Sequence, residues 1–130
     1  EKENRETRAF LETVFNTSTD GIMITDRIGR IVRVNRAVEQ MLGFREDELM
    51  GKYTLELGPD SEVQQIVRER MIGNLLEKGH VKNWKTVWHT KDGSLYPVEV
   101  NITFLKDLEG NVSGAVAVIR DVSEKNKIEH

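Results

Sequence analysis

Three consecutive segments near the end of the chain alternate apolar and polar residues, and two very short turn clusters separate them. The segments are HVKNWKTVWHT, SLYPVEVNITFL and VSGAVAVIRDV, and the turns are KDG and KDLEGN. A parallel crossover needs a dozen or more residues, so turns this short force the three strands to run antiparallel. Gly110 gives the second turn its positive φ. Trp84, Thr86 and Trp88 share one face of the first segment. Tyr96, Val98, Val100, Ile102 and Phe104 share one face of the second, with Glu99, Asn101 and Thr103 on the other. Ala115 to Ile119 is apolar at every position. That predicts a central strand covered on both sides.

The chain before these strands is mainly helical. ENRETRAFLETVF predicts a charged helix with one apolar stripe, Phe10, Leu11, Val14 and Phe15. The stripe suits either packing onto the domain's own core or a dimer seam. NTSTDG ends this helix. A β-hairpin follows, Ile22 to Thr25 and Ile31 to Val34 around a turn containing Gly29. Asn35 is placed to cap the next helix, which carries Ala37, Met41 and Leu42 inward and stops at Gly43. REDELMGK reads as a helical turn and YTLELGPD as irregular. Ser61 to Lys78 reads as a long helix with the stripe Val63, Ile66, Val67, Met71 and Leu75. Helices bunched between strands cover one face of a single sheet, an α+β layer fold.

Bulk properties narrow the function classes. The 130 residues suit one domain with a real core. A formal net charge of −3 with no basic stripe argues against nucleic acid as a partner. The absence of cysteine removes disulfides, thiolate metal sites and thiol nucleophiles together. The longest apolar run is too short to cross a bilayer, and no signal peptide is visible, so no membrane contact and a cytoplasmic location are expected. The first residue is Glu1 rather than Met, which reads as a piece of a longer protein.

In order along the chain, Asp20-Gly21-Ile22, Thr25-Asp26, Gly29-Arg30-Ile31, Asn35-Arg36-Ala37, Gly43-Phe44, Glu48-Leu49 and Gly51-Lys52 resemble the PAS domain pattern. So do Lys91-Asp92-Gly93-Ser94, Asp107 with Gly110, Gly114, and the closing Arg120-Asp121-Val122-Ser123-Glu124. No one of these motifs is specific; together they cover roughly residues 17 to 124. The resemblance implies a five-stranded antiparallel sheet of order 2-1-5-4-3 with helices over one face. It divides the chain into a flanking or dimerisation helix at 1–17, a PAS domain at 18–122 and the start of a signalling helix at 123–130. It further implies a sensory module of a larger signal-transduction protein, dimerising through its first helix and joined covalently to a kinase, a cyclase or another PAS domain.

The family holds a cofactor or metabolite between sheet and helices in some members and packs that space in others. Flavin mononucleotide photochemistry is excluded, because Thr54 stands where the light-sensing relatives carry cysteine. Trp88, Val98 and Ile119 replace their flavin-bonding amides. Haem is not expected, since the long helix has no histidine, and His80, His89 and His130 read as surface residues. FAD held beside a tryptophan stays open, as does a small metabolite or no cofactor at all. No spacing suits a metal. Glu46, Asp47 and Glu48 read as surface charge, with no converging acid, base or nucleophile, so no enzyme is expected.

The inward face, taken from the alternation and the resemblance together, supplies the pocket candidates. They are Met23 and Thr25; Trp84, Thr86 and Trp88; Val98, Val100 and Ile102; Ala115, Ala117 and Ile119; and Met41, Leu42, Ile66 and Val67 on the helical side. Small Ala115 and Ala117 leave space that the two indoles can fill by themselves. The candidate relay residues are Asp121 and Ser123. Either can cap an exit helix, with Glu124 near its start. Asp121 can instead bond a neighbour at the domain edge and set the exit angle.

Overall fold

A computed structural model describes residues 2–122. Helix α1 spans Lys2–Thr17, and strands β1 (Gly21–Asp26) and β2 (Ile31–Val34) form the first hairpin. Helices α2 (Arg36–Leu42) and α3 (Glu46–Leu49), a 3-10 turn (Thr54–Leu57) and α4 (Glu62–Lys78) follow. Strands β3 (His80–His89), β4 (Leu95–Lys106) and β5 (Val112–Asp121) complete the domain.

The sheet has the order β2-β1-β5-β4-β3, and every pairing in it is antiparallel. The last strand lies at its centre, with Ala117 opposite Met23 on one side and opposite Ile102 on the other. This is the α+β architecture expected from the sequence, with the strand order that the PAS resemblance implies. Two of the hairpin turns share one chemistry. The Asp26 Oδ1 accepts from the Ile28 and Arg30 N–H groups, and the Asp107 Oδ1 accepts from those of Glu109 and Asn111. Each aspartate mimics a backbone turn with its own side chain.

The register puts the inward-facing residues in continuous rows. Trp84 faces Val100, which faces Ile119, which faces Gly21. Met23, Val34, Val38, Leu42, Leu49, Leu57, Trp88, Val98, Val100 and Ile119 form one buried core under α2, α3 and the 3-10 turn. Each fully buried large apolar side chain contributes roughly 1.5–3 kcal/mol before entropy is counted.

Three expectations need correction. β5 is central, but not because both faces are covered: Val118 on its outer face is 37% exposed. YTLELGPD is partly ordered as the 3-10 turn, which buries Leu57. On α4 the inward stripe is Arg68, Met71, Ile72 and Leu75, while Ile66 is 55% exposed. Apolar residues occupy several sides of this helix, so periodicity alone does not choose its phase. The tertiary bonds of Arg68 lie on the inward side: its Nη1 donates to the carbonyls of Leu55 and Pro59.

Candidate functional site

A cavity of about 240 Å³ lies between the inner face of the sheet, α4 and the 3-10 turn. Nine of the sequence-predicted residues line it: Met23, Thr25, Trp84, Thr86, Trp88, Val100, Ile102, Ala115 and Ala117. The alanines leave the space, and the indoles wall it without closing it. Val98, Ile119 and Leu42 belong to the packed core instead, and Met41 packs against that core. Ile66 and Val67 are not on the cavity wall.

The residues that sequence reasoning missed are mostly on the helical side. Arg68, Met71, Ile72 and Leu75 come from α4, and Tyr53, Thr54 and Leu55 from around the 3-10 turn. Phe104 and Gly114 extend the strand wall. The alternation of β4 already carried the signal for Phe104, since it shares a face with Val100 and Ile102. No sequence signal marked Arg68, because an arginine on a helix normally faces water.

One polar atom of a lining residue stands apart. The Trp84 Nε1–H is buried and has no hydrogen-bond partner, the single such side-chain atom among the described residues. Buried polar groups are nearly always bonded, and leaving one unmet costs about 1–3 kcal/mol. The side chains of Thr25, Asp26, Arg27, Tyr53, Thr54, Thr86 and Arg68 are the other polar groups on a mainly apolar lining.

Two further constructions connect the domain to its ends. At the N-terminal end, Asn35 is fully buried. Its Oδ1 accepts from the Ile22 and Val38 N–H groups, and its Nδ2 donates to the Phe15 and Asp20 carbonyls. The cap of α2 is thus also the clasp that holds the end of α1. Arg33 reinforces it by lying over the Phe15 ring, 4.7 Å from the centroid, and by pairing with Glu12 and Glu46 at 2.9 Å each. The hydrogen bond from Arg33 holds the Glu12 carboxyl below its usual range, and those carboxylates raise Arg33.

The acidic cluster of α3 is likewise more than surface charge. Glu46 accepts from the Val34 N–H, and Glu48 accepts from the Arg45 N–H and from the Lys91 ammonium at 2.6 Å. At the other end of the domain, the Tyr96 hydroxyl donates to Asp121 Oδ2 at 2.7 Å. Tyr96 sits opposite Trp88, a cavity residue, in the β3–β4 register. Asp121 therefore bonds a neighbour at the domain edge, one of the roles open to it from sequence. Ser123 and the expected exit helix lie outside the described residues.

With its last strand central and a cavity between that strand and the helices, the domain has the layout of a sensory PAS module, and residues 9–122 match the family model for the PAS fold. The chain belongs to the PAS family. It is 30% identical over 122 residues to the sensor protein kinase WalK of Staphylococcus aureus, covering 92% of this chain and 26% of that protein. Against a strain JH9 form of the same kinase it covers 18%, so the chain spans about a quarter of the first relative and under a fifth of the second. Among solved structures it resembles the PAS domain of a Colwellia psychrerythraea protein, with a TM-score of 0.78 and 21% identity over 92% of this chain and 97% of that one. It also resembles the PAS domain of an HTR-like protein from Haloarcula marismortui, with a TM-score of 0.73 and 27% identity over 92% and 95%. Among the described residues no helix is long and apolar enough to cross a membrane.

Proposed function

We propose that this PAS domain senses a small molecule in its cavity and passes occupancy to an output domain joined at its C-terminal side. The observation that carries the reading is the cavity of about 240 Å³ between sheet, α4 and 3-10 turn, which the two indoles wall without filling. A self-filled core leaves no such space; a binding site does. In this reading 18–122 is the sensing unit and 1–17 its flanking helix. The row from Trp88 to Tyr96 to Asp121 then links cavity to exit. The similarity to a sensor protein kinase supports a kinase as the output domain.

Native mass spectrometry of the purified domain is expected to show a co-purifying small molecule, lost on denaturation. In the full-length protein, Tyr96→Phe and Asp121→Ala are expected to shift kinase output in the same direction while the isolated domain stays folded. A bond to a charged acceptor contributes about 1.5–3 kcal/mol, within reach of an ordinary domain's stability. Output unchanged in both variants would reduce the pair to an edge contact.

The flanking helix supports a homodimer. Of its four predicted seam residues, Phe15 is engaged by Arg33 within the domain, whereas Phe10, Leu11 and Val14 are exposed. A second copy of this helix is the occupant we assign to that stripe. Val14→Glu is expected to convert a dimer to monomer in sedimentation without loss of the fold. A dimer that survives both Val14→Glu and Phe10→Glu removes α1 from the interface.

A further inference from the structure

We propose that Thr25 is the polar contact of the cavity and that the occupant is an uncharged apolar molecule carrying one hydroxyl or carbonyl group. The inference rests on the reading of the cavity as a ligand site; it names the chemistry of the occupant and the residue that selects it.

Along β1 the burial alternates: Gly21, Met23 and Thr25 are buried, while Ile22, Ile24 and Asp26 are partly exposed. Thr25 therefore faces inward with Met23, and it is only 8% exposed. Both residues line the cavity. Among the described residues the Thr25 hydroxyl has no hydrogen-bond partner. Buried hydroxyls are nearly always bonded. Unlike the Trp84 N–H, which is closed off from every surface, this hydroxyl is not sealed in. The space it borders is the cavity.

The register fixes what surrounds it. Thr25 pairs with Ala115, and Ala115 with Phe104. In the next inward row Met23 pairs with Ala117, and Ala117 with Ile102. All six residues line the cavity. Paired strands lie about 4.8 Å apart, so the room left by the two alanines is within reach of the hydroxyl for one small molecule. Thr86 is level with Val98, three inward positions along β4 from Phe104. That is about 20 Å, too far for such a molecule to bond both threonines.

Charge and size set the rest. Asp26, next along β1, alternates to the other face, and its Oδ1 accepts from the Ile28 and Arg30 N–H groups. The Arg68 Nη1 donates to the Leu55 and Pro59 carbonyls. A hydroxyl donates to a carbonyl or exchanges bonds with another hydroxyl, but it cannot neutralise an ion. Burying an unpaired charge beside it costs far more than burying a neutral polar group. A volume of about 240 Å³ holds roughly eight non-hydrogen atoms at about 30 Å³ each.

The test uses four probes with one body: cyclohexylmethanol, ethylcyclohexane, cyclohexanecarboxylate and cyclohexylmethylammonium. The first two are isosteric and differ by the hydroxyl. Binding is followed in ¹H–¹⁵N spectra of protein that native mass spectrometry shows to be empty. The alcohol is expected to move the Thr25 and Ala115 amide signals saturably, and both ions to bind at least about tenfold more weakly. Thr25→Val keeps a branched side chain that suits a strand and removes the hydroxyl. It is expected to weaken the alcohol about twofold to tenfold and to leave ethylcyclohexane unchanged. Thr25→Ser is expected to retain the preference for the alcohol over the hydrocarbon. An alcohol that binds Thr25→Val as tightly as the unaltered protein overturns the role of Thr25. An ion that binds as tightly as the alcohol, or a co-purifying molecule that is ionised at neutral pH, overturns the neutral assignment. Each of these leaves the cavity a ligand site. No saturable response to any of the four probes overturns the assignment and the ligand reading together.

Discussion

Asn35→Ala is expected to lower the melting temperature by about 10–15 °C, a large effect for one exposed-looking polar residue in a hairpin–helix junction. Asn35 is fully buried and serves four backbone groups at once. Removing the cap of α2 costs about 1 kcal/mol. Leaving the Ile22 N–H and the Phe15 and Asp20 carbonyls without their partner adds about 1–3 kcal/mol for each group that water cannot reach. A total near 3–4 kcal/mol is therefore the expectation, and a domain of this size loses several degrees per kcal/mol. Asn35→Asp separates the two functions of the side chain. It keeps the acceptors for Ile22 and Val38 and loses the donors to Phe15 and Asp20. The sheet should stay folded while the last turn of α1 comes away, seen as faster amide exchange confined to α1. A fall of only 2–3 °C in the alanine variant would show that neighbouring groups or water replace the clasp.

The clasp also shows what the sequence could and could not disclose. Asn35 was legible as a helix cap, because capping is a local rule linking a residue to the next turn. Its donors, however, reach back to Phe15 and Asp20, and nothing local marks a contact across that separation. The same division holds in the cavity. The strand walls were legible because side chains in a strand alternate strictly, so Trp84, Thr86 and Trp88, or Val100 and Ile102, had to share a face. The bulge between Val81 and Trp84, with Asn83 at φ 57°, precedes these residues and leaves their alternation intact.

Helix α4 was the opposite case. Ile66, Val67, Met71, Ile72, Leu75 and Leu76 offer more than one apolar stripe, and the orientation observed places Arg68 inward, where it bonds the Leu55 and Pro59 carbonyls. β5 was placed at the centre correctly from an apolar run whose second face is in fact open at Val118. That open face and the stripe of α1 both leave apolar side chains exposed.

Gly114→Ala and Gly73→Ala should move stability in opposite directions, although each adds a single methyl group. At Gly114, on β5, a Cβ would lie 2.2 Å from the Thr25 carbonyl oxygen and 3.3 Å from its carbon. Both obstacles are backbone, so no side chain can rotate away. Even a barely tolerable 3.0 Å contact requires β1 to retreat by 0.8 Å, the difference between 3.0 and 2.2 Å. Thr25 pairs with Ala115 and Asp26 with Gly114, so the retreat opens the end of the β1–β5 ladder. It also disturbs the Asp26 turn and the cavity wall, because Thr25, Asp26, Gly114 and Ala115 all line the cavity. A loss of about 2–4 kcal/mol is expected from overpacking of this kind, together with weakened binding of any cavity ligand. Gly73 lies inside α4, and apart from its chain neighbours and the helix's own nearby backbone no atom lies within 4 Å of where its Cβ would sit. Alanine there removes backbone freedom from the unfolded chain and meets nothing in the folded one, for an expected gain of about 0.5–1 kcal/mol. Denaturant titration of the two variants reads both signs directly. If Gly114→Ala were neutral, β1 and β5 would have room that their register denies. The closeness of these two strands beside the cavity would then be no constraint on its shape.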